Sequence, residues 1–316
     1  MKPHPELCVK KEILATLSYF DLFSYPLTPI EIIKFLGIDC NVQEIAVPLF
    51  ELEQEESIFR LDEFYALHNN PGLATRRRNG NLKARQQLVI ADRIASFLAG
   101  FPFVTGIAVS GSLSKNFADE ESDVDFFIIT KANRLWLART FMHLFKKLTF
   151  LVGKQHYFCM NYYIDQDMLT IKEKNVYTAI EVATLMPLRG IETFGLFYQQ
   201  NKWVSSFLPN HNMHITYVKA NKDSYLKKII EFFFNNAAGN YLDSLFMKIT
   251  AGKWAKKTRL KKLSKSGNVM GMDAGKHYAK PLPANFQIKL LQRYEMKLYA
   301  LYREFEQKSG TNMLNI

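Results

Sequence analysis

Residues 111–127 read GSLSKNFADEESDVDFF, and this stretch decides how the rest of the chain is interpreted. It lies between two apolar runs that predict β-strands, VTGIAVSG (104–111) and VDFFIIT (124–130). Asp123 and Asp125 are two residues apart where the second strand begins. Since side chains alternate along a strand, both carboxylates are expected on one face while their neighbours point into the core.

A phosphate-binding turn is expected at the beginning of this stretch. Gly111 has no Cβ, so a phosphate group can approach the backbone there, and Ser112 adds an N–H and a hydroxyl donor. Lys115 in the following turn can add a positive charge. Two carboxylates beside such a turn suit Mg²⁺, which prefers oxygen ligands and leaves positions for substrate phosphates. The sequence therefore predicts phosphoryl or nucleotidyl transfer assisted by two metal ions, with Asp123 and Asp125 as ligands and catalytic residues.

Helical and strand patterns alternate around this stretch. A helical segment (81–100) precedes the first strand, and another (132–151) follows the second. A further strand, HYFCMNYYI (156–164), completes the pattern. We predict an α/β (α+β) fold in which residues 81–175 form a catalytic domain, a small mixed sheet backed by helices.

Residues 1–70 are predicted to form a winged-helix-like module. Three helical segments (10–20, 26–37 and 42–56) precede two short apolar runs within 58–67 that indicate a hairpin. In DNA-reading modules of this kind the last helix meets phosphates, but here it carries five glutamates and neither lysine nor arginine. A packing or partner-docking role is therefore favoured over DNA reading.

An exposed linker is predicted at residues 69–80, NNPGLATRRRNG, because breakers flank its three arginines. Those arginines either form a solvated turn or contact phosphate. Residues 176–316 are predicted to be a basic helical region, with helices from 176 to about 207 and from 223 to the end, and a break near 266–285.

A basic run without any acidic residue lies between Met247 and Lys265. Its members are Lys248, Lys253, Lys256, Lys257, Arg259, Lys261, Lys262 and Lys265. Residues 248–265 either bind RNA or another polyanion, contact an anionic membrane with Trp254 and Leu260 as the apolar side, or form a solvated helix face. The last helical segment (285–307) is predicted to serve packing or oligomer formation.

Charge and cysteine usage limit the classes of function. The net charge is +11, with −4 over residues 1–80, +3 over 81–175 and +12 over 176–316, which favours polyanionic partners of the C-terminal part. Three cysteines support neither a disulfide framework nor a zinc site. The most apolar stretch (135–152) is interrupted by charges, and the first residues lack a signal-peptide pattern. A cytoplasmic protein without a membrane span is expected.

The motif resembles the signature of the polymerase-beta-like nucleotidyltransferases. In that family Gly-Ser, an Arg-Gly pair and Ser-Asp-x-Asp fall at the spacing seen here for residues 111–112, 115–116 and 122–125. Lys115 stands in for the arginine and Asn116 for the glycine. The resemblance covers about residues 81–165. It implies that an NTP places its triphosphate over the Gly-Ser turn, and that NMP is transferred to a hydroxyl of an acceptor, which is a small molecule, RNA or protein.

Members of this family usually carry a third carboxylate on a neighbouring strand, which here is 156–164. Alternation would place Asn161 at the centre of a face shared with Cys159 and Asp165. An asparagine can coordinate a metal but cannot act as a base, and Asp165 lies roughly 13 Å further along an extended strand. Three interpretations stay open: metal alone deprotonates the acceptor, Asp165 reaches in through a bend, or the chain is a catalytically weakened nucleotide-binding or partner-docking module.

Overall fold

The computed structural model describes residues 5–120, 122–149, 159–213, 218, 224–260, 273–280 and 286–309. Its helices are α1 (Pro5–Asp21), α2 (Pro29–Phe35), α3 (Val42–Gln54), α4 (Gly72–Leu98), α5 (Gly111–Ser114), α6 (Leu135–Thr149), α7 (Val176–Ala183), α8 (Ile191–Gln200), a 3₁₀-helix (Lys202–Ser206), α9 (Tyr225–Phe234), α10 (Ala237–Arg259) and α11 (Phe286–Ser309). Its strands are β1 (Phe59–Leu61), β2 (Phe64–Ala66), β3 (Val104–Val109), β4 (Asp125–Thr130), β5 (Cys159–Asp165), β6 (Met186–Arg189), β7 (Asp273–Ala274) and β8 (Tyr278–Lys280). The mixed α/β fold class is thereby confirmed.

A six-stranded sheet of order β6-β3-β4-β5-β8-β7 carries the motif at its centre. β4 and β5 are parallel, whereas every other neighbouring pair in this sheet is antiparallel. The motif thus connects two central strands, β3 and β4, by the short helix α5 and a loop. Its turn and its carboxylates lie at the same end of the sheet, since Ser110 N–H donates to the carbonyl of Asp125 (2.9 Å).

The two faces of the sheet pack against different sets of helices. One face buries Phe127, Ile129 and Ile164 together with side chains of α1, α7, α8 and α11. The other buries Phe126 and Ile128 against α4 and α6. Alternation along β4 therefore divides its side chains between two cores, as expected for a strand covered on both sides.

The first 70 residues contain the three helices and the hairpin predicted for them. β1 and β2 are antiparallel, and the backbones of Leu27 and Tyr65 exchange two hydrogen bonds (2.7 and 3.0 Å) beside the hairpin. Thr28 caps α2 by a capping box with Glu31. The description of this part as a winged helix stays a prediction.

The predicted linker at 69–80 is wrong, because this stretch forms the first turns of the long helix α4. Its arginines bind protein groups. Arg77 is 2% exposed, pairs with Glu31 (2.6 Å), and lies over the ring of Tyr25. Arg78 pairs with Asp62 and Glu63 in the hairpin turn. The arginines thus fasten the N-terminal helices to α4, which composition alone could not show.

The C-terminal region predicted to be helical also supplies sheet strands: β6 lies within a segment predicted as helix, whereas β7 and β8 lie in the predicted break near 266–285. β6 lies beside β3, and β8 lies beside β5. The four-residue strand β6 contains Pro187 and has no alternation of buried and exposed side chains, and β8 has only three residues. Neither strand is therefore long or regular enough to be recognised from alternation in the sequence. Among the described residues, no helix combines the length and apolar character that crossing a membrane requires.

The basic segment and the last helix both pack within the chain. α10 lies on α6, and Trp254 is 6% exposed with its ring against that of Trp136, so Trp254 is a core residue rather than an exposed apolar anchor. α11 packs along α1, where the hydroxyl of Tyr302 donates to the carbonyl of Lys11 (3.1 Å). Residues 261–265 and the side chain of Lys257 lie outside the described residues, and an oligomeric role of α11 stays a prediction.

Candidate active site

The turn after β3 brings the backbone against Asp125. Gly111 has φ +70°, a left-handed conformation that favours glycine, and a Cβ added there would lie 2.8 Å from Asp125 Oδ2. The next residue, Ser112, is exposed. The glycine predicted from the motif is therefore required by backbone conformation and by its close approach to a carboxylate.

The two departures from the signature, Lys115 and Asn116, lie just after the turn. Asn116 has φ +58°, so it occupies the left-handed region where the family has glycine; asparagine is one of the side chains that tolerates it. Lys115 is half-buried, and its Nζ lies 2.8 Å from Glu181 Oε1 and 3.2 Å from the carbonyl oxygen of Gly111. The lysine thus ties the turn to α7.

The paired aspartates act on one another electrostatically. Burial, and after it the charge of Asp123, raise the pKa of Asp125 to about 7, although the charge of Lys146 on α6 opposes this change. Asp123 itself is exposed, and Val124 between the two is buried in the core against α4 and α6. Proximity of the two carboxylates is what alternation predicted.

A β-bulge in β5 changes the expected third position. Phe126 is opposite Met160 but Phe127 is opposite Tyr162, so Asn161 is an extra residue in the register between β4 and β5. The side chain of Asn161 lies outside the described residues. Cys159 is opposite Asp125, and its thiol hydrogen-bonds with that carboxylate. Burial and the neighbouring charge of Asp125 raise the pKa of Cys159 to about 12.

The bulge also separates Asp165 from the motif, so the face predicted for β5 is wrong. Asp165 is fully buried and lies opposite Thr130 at the far end of β4. Its carboxylate accepts hydrogen bonds from the backbone N–H groups of Asn133 (3.0 Å) and Asp167 (3.1 Å), and His277 Nδ1 lies 3.0 Å from both oxygens. Asp165, Asp167 and His277 form a cluster of metal-ligand types, but its central carboxylate is satisfied by protein donors.

Glu181 is a site residue that the sequence analysis missed. It lies on α7, and its charge contributes to the raised pKa of Asp125. Tyr177 precedes it by one helical turn and lines the same space. No motif marks this glutamate; the available signal was only that Tyr177, Thr178 and Glu181 share a helix face.

The turn, the aspartate and α7 enclose a cleft with two lobes that meet at Gly111, Tyr177 and Glu181. One lobe has a volume of about 230 Å³ and is lined by Asp125 and residues of the C-terminal region such as Lys280. The other has a volume of about 350 Å³ and is lined by Ser112, Lys115 and a set of aromatic side chains. These aromatic residues are Tyr19, Phe20, Phe23, Tyr25, Phe117, Tyr177 and Phe286.

The N-terminal helices form one wall of the second lobe. The hydroxyl of Tyr25 donates to the carbonyl oxygen of Lys115, and the Tyr25 ring meets that of Phe117 edge-on at 5.9 Å. The guanidinium of Arg76 lies over the Phe117 ring at 4.4 Å. The module predicted to pack or dock therefore contacts the motif turn directly.

Comparison with known proteins bears on the central part of the chain. Residues 92–184 match the family described as nucleotidyltransferase domain. This range contains the turn, both aspartates and Glu181. No curated protein and no solved structure matches the chain.

Proposed function

Because residues 92–184 are a nucleotidyltransferase domain of the polymerase-beta-like kind, we propose that the chain transfers a nucleoside monophosphate from an NTP to a hydroxyl group of an acceptor. One observation carries this proposal: the backbone of Gly111 lies close to the carboxylate of Asp125 where the two lobes of the cleft meet. A phosphate-binding turn and a carboxylate pair thereby share one opening, with room on either side for two substrates.

The carboxylates fit a pair of Mg²⁺ ions. Asp123 and Asp125 repel one another, and burial disfavours the charge on Asp125, so a divalent cation would compensate both effects. We assign Asp123 and Asp125 as the ligands, with the amide oxygen of Asn161 as a further proposed ligand. When bound, the ions would make the acceptor hydroxyl more acidic and neutralise charge on the departing pyrophosphate.

The residues of the turn would hold the triphosphate. Gly111 leaves the backbone open to a phosphate group, and the exposed Ser112 offers its N–H and hydroxyl. Lys115 supplies a positive charge that Glu181 keeps at the turn through their 2.8 Å ion pair. We therefore assign Gly111, Ser112 and Lys115 to phosphate binding and Glu181 to positioning Lys115.

Glu181 would also take the place of the missing strand carboxylate. The thiol of Cys159 is neutral at ordinary pH, since its pKa is raised to about 12, so it cannot accept a proton from the acceptor. Glu181 is the carboxylate that faces both lobes. We propose that it accepts this proton, a role that the Glu181→Gln variant removes while keeping the side-chain shape.

The test is NTP turnover measured as release of pyrophosphate from each of the four NTPs in the presence of Mg²⁺. We expect the Asp123→Asn, Asp125→Asn double variant to lose at least a hundredfold in rate, because both ligands are gone. A matched control, Glu192→Gln with Glu295→Gln, removes two exposed negative charges that line neither lobe of the cleft and should keep full turnover. Equal turnover by the double variant and the wild-type chain would refute the proposal.

A second candidate is a nucleotide-binding module without turnover, favoured because the β5 residue opposite Asp125 is Cys159 rather than a carboxylate. It predicts Mg²⁺-dependent NTP binding in calorimetry together with no pyrophosphate release across a broad acceptor screen. Release of pyrophosphate would exclude this candidate.

A further inference from the structure

A basic groove of about 670 Å³ lies between α6 and α10, apart from the two lobes of the cleft. Positive side chains line it from both helices: Arg139 and Lys147 from α6, and Lys253 and Lys256 from α10. None of the described residues that line it is acidic. The groove is therefore a concentrated positive field, and its potential favours an anionic ligand.

Arg139 lies at the bottom of this groove, where its charged side chain is buried between aromatic rings. Its side chain is only 9% exposed, and its guanidinium lies over the rings of Trp254 (4.7 Å) and Trp136 (5.5 Å). Within the described part of the chain, it forms neither a hydrogen bond nor an ion pair. Burying a charge without an ionic partner is costly, and the aromatic faces offset part of that cost. Burial lowers the pKa of Arg139, which a bound anion would reverse.

The positive charges around the groove also affect the side chain of His143, which lines it. Its Nε2 is buried without a hydrogen-bond partner among the described residues. Burial, and to a lesser extent the charges of Arg139, Lys146 and Lys147, lower its pKa to about 3. The imidazole is thus held neutral by its cationic neighbours, and an anion in the groove would relieve this repulsion.

We propose that this groove binds the sugar–phosphate backbone of a single-stranded nucleic acid. Four cations spread over two helices suit several successive phosphates better than one isolated anion. A concave surface admits an extended strand, whereas a membrane surface would require the apolar side chains to project from a convex face. The exposed Leu144 and Leu260 lie along the rim, where they can contact sugars and bases.

The position of the groove connects it with the cleft. α6 also carries Lys146, which is next to the groove residue Lys147 and interacts electrostatically with Asp125. A strand bound in the groove would then be the acceptor whose hydroxyl enters the cleft. This last statement rests on the proposed function, whereas binding of the strand does not.

The test is fluorescence anisotropy of a labelled twelve-nucleotide RNA with the full chain at about 50 to 300 mM NaCl, a range over which the Debye length falls from about 14 to about 6 Å. Four phosphate contacts predict a slope of log affinity against log salt of about −3, since each contact contributes about −0.7 for single strands. The Lys253→Gln, Lys256→Gln variant, which changes two exposed side chains, should bring that slope to about −1.5 and weaken binding about tenfold. The Arg139→Met variant, matched in volume, should also weaken binding.

The matched control is Lys34→Gln with Lys202→Gln, which removes two exposed charges far from the groove in sequence and should leave the RNA affinity unchanged. The Asp123→Asn, Asp125→Asn variant should bind RNA at least as tightly as the wild-type chain, so loss of turnover and loss of binding are distinguishable. Absence of RNA binding at 50 mM NaCl would overturn the proposal, as would equal weakening by the control pair. Groove-dependent binding of phosphatidylserine vesicles without RNA binding, or displacement of RNA by equimolar inorganic phosphate, would also overturn it.

Discussion

Two acidic clusters lie at opposite ends of the adjacent strands β4 and β5, and they differ in what surrounds their carboxylates. Asp165 at one end is fully buried, and its oxygens accept hydrogen bonds from two backbone N–H groups and lie beside His277. Asp125 at the other end lies beside Asp123 and Glu181, whose charges raise its pKa, and it borders a cleft. The same residue types therefore accept protein hydrogen bonds at one end and border an open cleft at the other.

The difference shows why residue composition alone cannot distinguish a structural carboxylate from a catalytic one. Both clusters contain acidic side chains two residues apart, Asp165 with Asp167 and Asp123 with Asp125. What separates them is that Asp165 accepts hydrogen bonds from two backbone N–H groups, whereas Asp125 has two neighbouring carboxylates that raise its pKa. A carboxylate crowded by other carboxylates needs an external cation, whereas one that accepts backbone hydrogen bonds does not.

The strongest test of this comparison is to remove one carboxylate from each cluster. Asp165→Ala should destabilise the protein by about 3 kcal/mol, because it leaves the backbone N–H groups of Asn133 and Asp167, together with His277, without their acceptor. Asp125→Asn should keep or raise the free energy of unfolding in metal-free buffer, because repulsion from Asp123 is relieved, while turnover is lost. Urea unfolding and pyrophosphate release measure the two effects.

The control for the first cluster is Asp167→Ala, an exposed neighbour that accepts one hydrogen bond from the side chain of Asn133 (2.6 Å) and should cost about 1 kcal/mol or less. If Asp165→Ala were no more destabilising than this control, the structural role of Asp165 would be wrong.

A smaller effect is expected from adding one methyl group to the turn. In Gly111→Ala the new Cβ would lie 2.8 Å from Asp125 Oδ2 at a left-handed φ, so we expect turnover to fall about a hundredfold and stability by about 1 to 2 kcal/mol. Gly195→Ala on α8 is the matched control, since its Cβ meets nothing within 4 Å; it should stabilise by about 0.5 to 1 kcal/mol. Unimpaired turnover in Gly111→Ala would remove Gly111 from the site.

The smallest effect concerns a third buried carboxyl, Asp243, which accepts a hydrogen bond from the N–H of Leu137 (2.8 Å). Burial raises its pKa to about 6 from an ordinary value of 3.8. Between about pH 4 and 6 the folded state therefore binds more protons at Asp243 than the unfolded state does. The contribution of Asp243 to the free energy of unfolding is fully present below about pH 4 and is lost as the pH rises through about 6. Asp243→Asn should abolish this decline and be about 2 kcal/mol more stable than wild type at pH 7.5. Urea midpoints at pH 4.5 and 7.5 would test it; an unchanged pH dependence would contradict it.

Sequence patterns were informative wherever the structure is regular. Strands β3 and β4, the position of the turn and the pairing of Asp123 with Asp125 all follow from alternation and from the residue types of the motif. The bulge at Asn161 could not be anticipated, because alternation assumes an uninterrupted register. One extra residue moved Asp165 to the other face of the sheet and left Cys159 beside Asp125.

Other errors arose where tertiary contacts override local composition. Asparagine, glycine and three arginines indicated a linker at 69–80. In the structure Arg77 forms an ion pair with Glu31 and a cation–π contact with the ring of Tyr25, and these contacts stabilise the helix there. No sequence motif marks Glu181. It lies beside the turn only because α7 packs there, where Glu181 forms its ion pair with Lys115. Such contacts join residues far apart in the chain, so no local pattern contains them.

The continuity of α4 limits how this protein can be divided. Its 27 residues span about 40 Å, from the N-terminal helices to the edge of the sheet, without interruption. At Gly80 the ring of Phe117 lies so close that an added Cβ would be 2.3 Å away, and the N–H of Ala118 donates to the Gly80 carbonyl. A fragment that begins after this helix would lack one side of the cleft and the support of its loop. Expression of the sheet domain alone is therefore expected to leave the cleft open on one side, and dissection should keep the first hundred residues with the rest.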